Sequence, residues 1–129
     1  MVSGCHPWAR RRSVGVRDLQ QEPFLTRERA SGTRAVAEAA LAQHGVRLEP
    51  TAELASTQSL KRAVLSGGFT LLSRLAVQAE QQAGTLAALP VRGVELGREL
   101  RAVRVSGAPL PLRARRFWAF LADEAARAA

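Results

Sequence analysis

The order of elements along the chain predicts an α/β fold with a mostly parallel sheet flanked by helices. Three observations predict it. Short apolar runs, "FLT" from Phe24, "FTLL" from Phe69 and "TLAAL" from Thr85, are bounded by Gly, Pro and charged residues, as short strands are. Between them lie segments whose apolar residues recur at helical spacing. The connections are short, and strand–helix–strand units with short connections place neighbouring strands parallel.

Each element has its own warrant. "SVGVRDLQQEP" reads as a short turn or helix that ends before Pro23, and "PFLTRE" as the first strand. From Ser31 the period becomes 3.6, with Thr33, Val36, Ala37, Ala40, Leu41 and His44 on one stripe; Ser31 is the N-cap and Gly45 the stop. "VRLEPTAELAS" is extended, and Pro50 confines part of it to a sheet edge or an irregular stretch. Ser56 or Thr57 caps a second helix that buries Leu60, Ala63 and Val64 and ends at Gly67-Gly68. The unbroken apolar "FTLLS" marks a strand covered on both faces. "RLAVQAEQQAG" is a third helix stopped by Gly84, and "TLAALPV" a further strand. "RELRAVRVSG" is extended without clean alternation. The tail, opened by prolines, is an amphipathic helix with Phe117, Phe120, Leu121 and Ala125 on one side.

The 129 residues suffice for one modest core, and 47% hydrophobic with 23% charged residues is a globular composition. The formal charge of +8 invites a nucleic-acid reading, but the basic residues are scattered from Arg10 to Arg127, and Lys61 alone is not arginine. The one dense cluster, Arg10-Arg11-Arg12, has no aromatic stacking platform after it. Cys5 is the single cysteine, so no internal disulfide forms and a reducing compartment fits best. No apolar run reaches membrane-spanning length, and neither "VSGC" nor "RRRSV" is joined to the apolar segment that an export signal needs. A soluble, cytoplasmic protein without a membrane partner is expected.

Catalytic and metal chemistry find no support. His6 and His44 stand far apart, His44 on the buried stripe of a helix, and no CxxC, HExxH, GxSxG or phosphate-loop pattern occurs. No cofactor is expected. What remains is a set of small polar residues where strands meet helices: Ser31, Gly32 and Thr33 after one strand, Ser56 and Thr57 after the next, Thr70 and Ser73 around the third. In open α/β sheets ligands collect at the carboxyl ends of strands, where helix starts present unpaired N–H groups. Each hydroxyl alone reads as a cap. Three such junctions on one sheet predict a shared polar cleft.

"HPWARRRSVGVRDLQQEPFLTRERASGTR" resembles the middle of the effector-binding domain of LysR-type transcriptional regulators, and "ELASTQSLKRAVLSGGFTLLSRLAV" resembles that family's next section. "GTLAALPV" and "RELRAVRVSGAPLPLRARRFWAFL" are similar to its closing strands and last helix, so the likeness runs in order from about His6 to Leu121. The chain departs from the pattern at Gly67-Gly68-Phe69-Thr70, where Gly-x-Gly is usual, and at Trp8, where Leu is usual. The resemblance implies a periplasmic-binding-protein-like (type 2) lobe over about residues 6–92, then a returning strand and C-terminal helix of an incomplete second lobe over about 93–129. The whole of 1–129 is then a partial, truncated effector-binding domain. On that resemblance, neither the DNA-binding domain nor the first half of the effector domain is expected before Met1.

On that resemblance the chain senses a small effector in an inter-lobe cleft and modulates transcription. It binds weakly alone, self-associates within the full regulator, and meets DNA only through the missing N-terminal domain. Ser31, Gly32, Thr33, Arg34, Ser56, Thr57, Phe69 and Thr70 are the effector contacts so implied, and Arg27 and Arg34 suit a carboxylate effector. Two other readings stay open, a periplasmic-type solute-binding protein of similar fold and a small basic nucleic-acid binder.

Overall fold

The structure, a computed structural model, describes residues 1–97 and 101–128. Two compact units, Met1–Arg98 and Glu99–Ala129, make up the chain.

Among the described residues of the first unit, four strands are held around one central residue. β1 (Val2–Ser3) pairs antiparallel with β4 (Leu86–Ala87), and β2 (Phe24–Arg27) pairs parallel with β3 (Pro50–Leu54). Phe69 joins the two ladders, bridging antiparallel to Val2 and parallel to Phe24. The expected strand at "FTLLS" is therefore reduced to this one paired residue, and the sheet is mixed instead of mostly parallel. The antiparallel half comes from β1, which the polar, arginine-rich opening of the sequence conceals. Pro50 begins the outermost strand, where its missing N–H costs no ladder bond.

Alternation along the strands divides the core between the two faces of the sheet. Phe24, Phe69, Val2, Trp8 and Leu41 cluster together, while Leu25, Met1, Leu60, Val64, Val77 and Leu86 form a second cluster. The Phe69 ring stacks on Phe24 at 5.2 Å between centroids and meets Trp8 at 5.6 Å. Trp8, the departure from the expected Leu, is thus a core residue.

α1 (Gly32–Ala42) and α2 (Thr57–Val64) follow β2 and β3. α1 buries Arg34, Ala37 and Leu41, a stripe turned from the expected one. The helix ends at Ala42, so His44 lies beyond it and is exposed instead of packed. Gly45 takes φ +70° and lets Val46 turn back to bond the Leu41 carbonyl at 3.1 Å. α2 is capped by Ser56, whose Oγ accepts from the Ser59 N–H at 3.0 Å. The expected third helix starts as a 3-10 turn, Arg74–Val77, and continues as α3 (Gln78–Gln82). Lys61 ties it to α2, donating to Glu80 Oε1 at 2.6 Å and to the Ala76 carbonyl at 3.0 Å.

In the second unit α4 (Leu112–Ala128) begins after Pro111, whose carbonyl accepts from Arg115 at 2.9 Å. Phe117 and Phe120 are exposed, and the Arg104 guanidinium lies 5.4 Å from the Trp118 ring centroid. Of the expected returning strand, residues 98–100 lie outside the described residues, and 101–105 form no strand.

Gly68 precedes the bridging residue at φ +72°, and a Cβ there would collide with the Pro23 carbonyl. Gly45 shares the positive φ but faces open space. Gly45→Ala therefore loses only the backbone term, about 1 kcal/mol. Gly68→Ala also forces apart the backbones that pair Phe69 with β2. In urea unfolding, Gly68→Ala is expected to lower the midpoint clearly more than Gly45→Ala.

Candidate functional site

Parallel pairing of β2 and β3 in the register Arg27 to Leu54 puts their carboxyl ends at one edge of the sheet. The chain leaves β2 through Glu28 to Ser31 and enters α1; it leaves β3 through Ala55-Ser56 and enters α2. Both helix starts thus sit side by side, and their first-turn N–H groups, Gly32 and Thr33 in α1, Thr57 and Gln58 in α2, have no intrahelical acceptor.

Arg27 links the two junctions. Its Nη1 donates to Thr57 Oγ1 at 3.0 Å, while its Nε and Nη2 donate to the two carboxylate oxygens of Glu28, each at 2.8 Å. This hydrogen bonding raises the Arg27 pKa and holds the Glu28 carboxyl below its ordinary range. Arg34, on the buried side of α1, is committed to structure. Its Nε donates to Glu38 Oε1 at 2.6 Å, and its Nη1 lies 2.8 Å from Glu53 Oε1 on β3 and donates to the Arg27 carbonyl at 2.9 Å. The bonds to Glu53 and Glu38 raise its pKa. This fork ties α1 to the ends of both strands.

The residues singled out from the sequence divide into three groups. Ser31, Gly32, Thr33, Ser56 and Thr57 are brought to this edge. Ser31 is buried at the α1 N-cap, its hydroxyl making no cap bond, and Ser56 is exposed with its Oγ 2.8 Å from Ser59 Oγ. Arg34 sits directly beneath them as an anchor. Phe69 and Thr70 lie deeper, because Phe69 is level with Phe24 at the start of β2, three residues short of Arg27, or about 10 Å along the strand. The Phe69 side chain belongs to the core and is 1% exposed. Thr70 is fully buried; among the described residues its Oγ1 is the buried side-chain polar atom with no protein hydrogen-bond partner.

Sequence reasoning missed Glu28 and Glu53. The Arg34–Glu38 pair is legible as an i,i+4 spacing. Glu28 has no such signal, since chain neighbours on a strand point to opposite faces. The pair forms only because β2 ends at Arg27 and the chain turns, the Ser31 N–H closing on the Glu28 carbonyl at 3.0 Å. A separate groove of about 590 Å³ runs between α1 and β3, lined by Leu41, Val46, Leu48, Pro50 and, at one end, Arg34 and Glu53. None of the hydroxyl-bearing residues lines it, so the groove and the hydroxyl-lined edge are distinct features. Among the described residues, no group of three or more His, Cys, Asp or Glu is placed to hold a metal ion, and no helix is long and apolar enough to cross a membrane.

Comparison with known proteins extends this picture. The LysR substrate binding domain family matches residues 1–126. The chain is 38% identical over 117 residues to the RuBisCO operon transcriptional regulator of Acidithiobacillus ferrooxidans, a match covering 90% of this chain and 38% of that protein. It is 38% identical over 112 residues to the HTH-type transcriptional regulator CbbR of Rhodospirillum rubrum, covering 86% of this chain and 38% of the relative. The solved regulatory domain of CcmR from Synechocystis PCC6803, in complex with 2-PG, superposes with a TM-score of 0.81 at 25% identity, covering 93% of this chain and 58% of that one. The fold is the type 2 periplasmic-binding-protein-like one. The chain spans well under half the length of the curated relatives it matches.

A buried hydroxyl without a partner costs about 1–3 kcal/mol. Thr70→Val, which replaces that hydroxyl by a methyl of similar size, is expected to stabilise the chain by about 1 kcal/mol in urea unfolding. A loss of stability would mean that the hydroxyl is paired in solution.

Proposed function

The chain belongs to the LysR substrate-binding family, and from that premise we propose that it is the effector-sensing part of a transcriptional regulator, holding a small anion at the carboxyl ends of β2 and β3. One observation carries the reading. Two helix starts with free N–H groups, three hydroxyl residues (Ser31, Ser56, Thr57) and the Arg27 guanidinium converge on one edge of a parallel strand pair. Helix starts and a guanidinium both favour negative charge, and the CcmR regulatory domain, similar in fold, is in complex with 2-PG.

In this reading Gly32 and Thr33 offer backbone N–H groups and Ser31, Ser56 and Thr57 offer hydroxyls. Phe69 and Thr70 stay in the core and hold the strands from within, and Arg34 positions the α1 start without touching the effector. Reaction chemistry plays no part; binding is the output, and the regulator as a whole carries it to DNA. Self-association and DNA contact belong to that whole regulator, working in the cytoplasm. The relatives are named as transcriptional regulators, which favours this reading over a solute carrier of similar fold.

Titrating the isotopically labelled chain with 2-PG and following amide resonances tests the site. The reading expects saturable shifts at Gly32, Thr33, Ser56 and Thr57, with an affinity in the millimolar range for a half cleft. Shifts confined to Val46 and Leu48 in the α1–β3 groove, or no shifts, would overturn it.

A further inference from the structure

Of the two bidentate edges of the Arg27 guanidinium, the Nε/Nη2 edge is already filled and the Nη1/Nη2 edge is shared with Thr57. Glu28 occupies the Nε/Nη2 edge with both carboxylate oxygens at 2.8 Å, while Nη1 is held by Thr57. Two guanidiniums face three carboxylates at this edge, Arg34 against Glu38 and Glu53 and Arg27 against Glu28, so both cations are already matched. An incoming anion therefore meets no free guanidinium on either of these residues.

We propose that Glu28 is an internal stand-in for the effector, occupying the Arg27 fork until an anion displaces it. The proposal rests on the reading of this edge as the effector site. Three features make the Glu28 side chain displaceable. It is 39% exposed, so the freed carboxylate regains water. Its backbone stays in place, because the Ser31 N–H bonds its carbonyl and not its side chain. The pair is only partly buried, so water screens it, and a ligand with a well-matched anionic group can compete. Arg27 itself keeps its hold on Thr57 at the start of α2, so the fork stays aimed at the same edge throughout the exchange.

The consequence is a threshold. A ligand without a strong anionic group cannot recover the Arg27–Glu28 interaction it must break, and it is refused. A phosphate or carboxylate replaces one bidentate pair by another. Glu28 thus sets the selectivity for charge without contacting the bound effector.

Calorimetric titration of the chain with 2-PG, and with inorganic phosphate as the simplest probe, tests this in the wild type, Glu28→Gln, Glu28→Ala and Arg27→Gln. Removal of the Glu28 charge is expected to tighten binding of both probes about fivefold. Arg27→Gln should weaken binding, and the double variant Arg27→Gln/Glu28→Gln should show no gain over Arg27→Gln. Having both Glu28 variants guards against one that misfolds. Wild-type affinity, or weaker, in the folded Glu28 variants overturns the stand-in role while leaving the effector site intact. Absence of binding in every form overturns the site and the stand-in together.

Discussion

The structure of residues 1–97 depends on a single backbone position. Phe69 donates to the Pro23 carbonyl and accepts from Leu25, and the next residue, Thr70, exchanges two hydrogen bonds of 3.0 Å with Met1. Two short ladders, each marginal alone, become one sheet through this segment. The same residue places its ring between Phe24 and Trp8, so backbone pairing and core packing are satisfied together. Gly67 and Gly68, both at positive φ, let the chain leave α2 and enter the middle of the sheet without a side chain in the way.

The site inherits its geometry from that arrangement. With β2 fixed against Phe69 and β3 fixed against β2, the carboxyl ends of the strands and the starts of α1 and α2 have no freedom to separate. Arg34 then draws α1 onto the strand ends through Glu53 on β3 and the Arg27 carbonyl on β2. Arginine chemistry here is split by burial. The buried guanidinium, Arg34, locks the scaffold, and the partly exposed one, Arg27, faces the open edge and pairs with a more exposed carboxylate, Glu28.

Much of this was legible in the sequence, for physical reasons. Ser31, Ser56, Gly45 and Gly84 announce the helix limits, since caps and positive-φ stops are local chemistry. Pro50 announces the outermost strand. The convergence of the helix starts follows from the parallel βα order alone. Long-range pairing is what the sequence withheld. β1 is two residues long, and its partners lie some eighty residues away at β4 and nearly seventy away at Phe69, so no periodicity can reveal it. The five-residue apolar run at Phe69 looked like a full strand because its neighbours are apolar for packing rather than for pairing. Arg34 looked like a ligand contact because the two carboxylates that engage it, Glu38 and Glu53, come from different elements.

The central claim, that the Phe69–Thr70 segment is the joint on which sheet and site both rest, is tested most directly by native-state hydrogen exchange at single amides. The Leu25, Phe69 and Thr70 amides should be among the slowest in residues 1–97, exchanging only when the whole unit unfolds. Exchange of these amides as fast as those of the outer strand β3, while α1 and α2 stay protected, would contradict it.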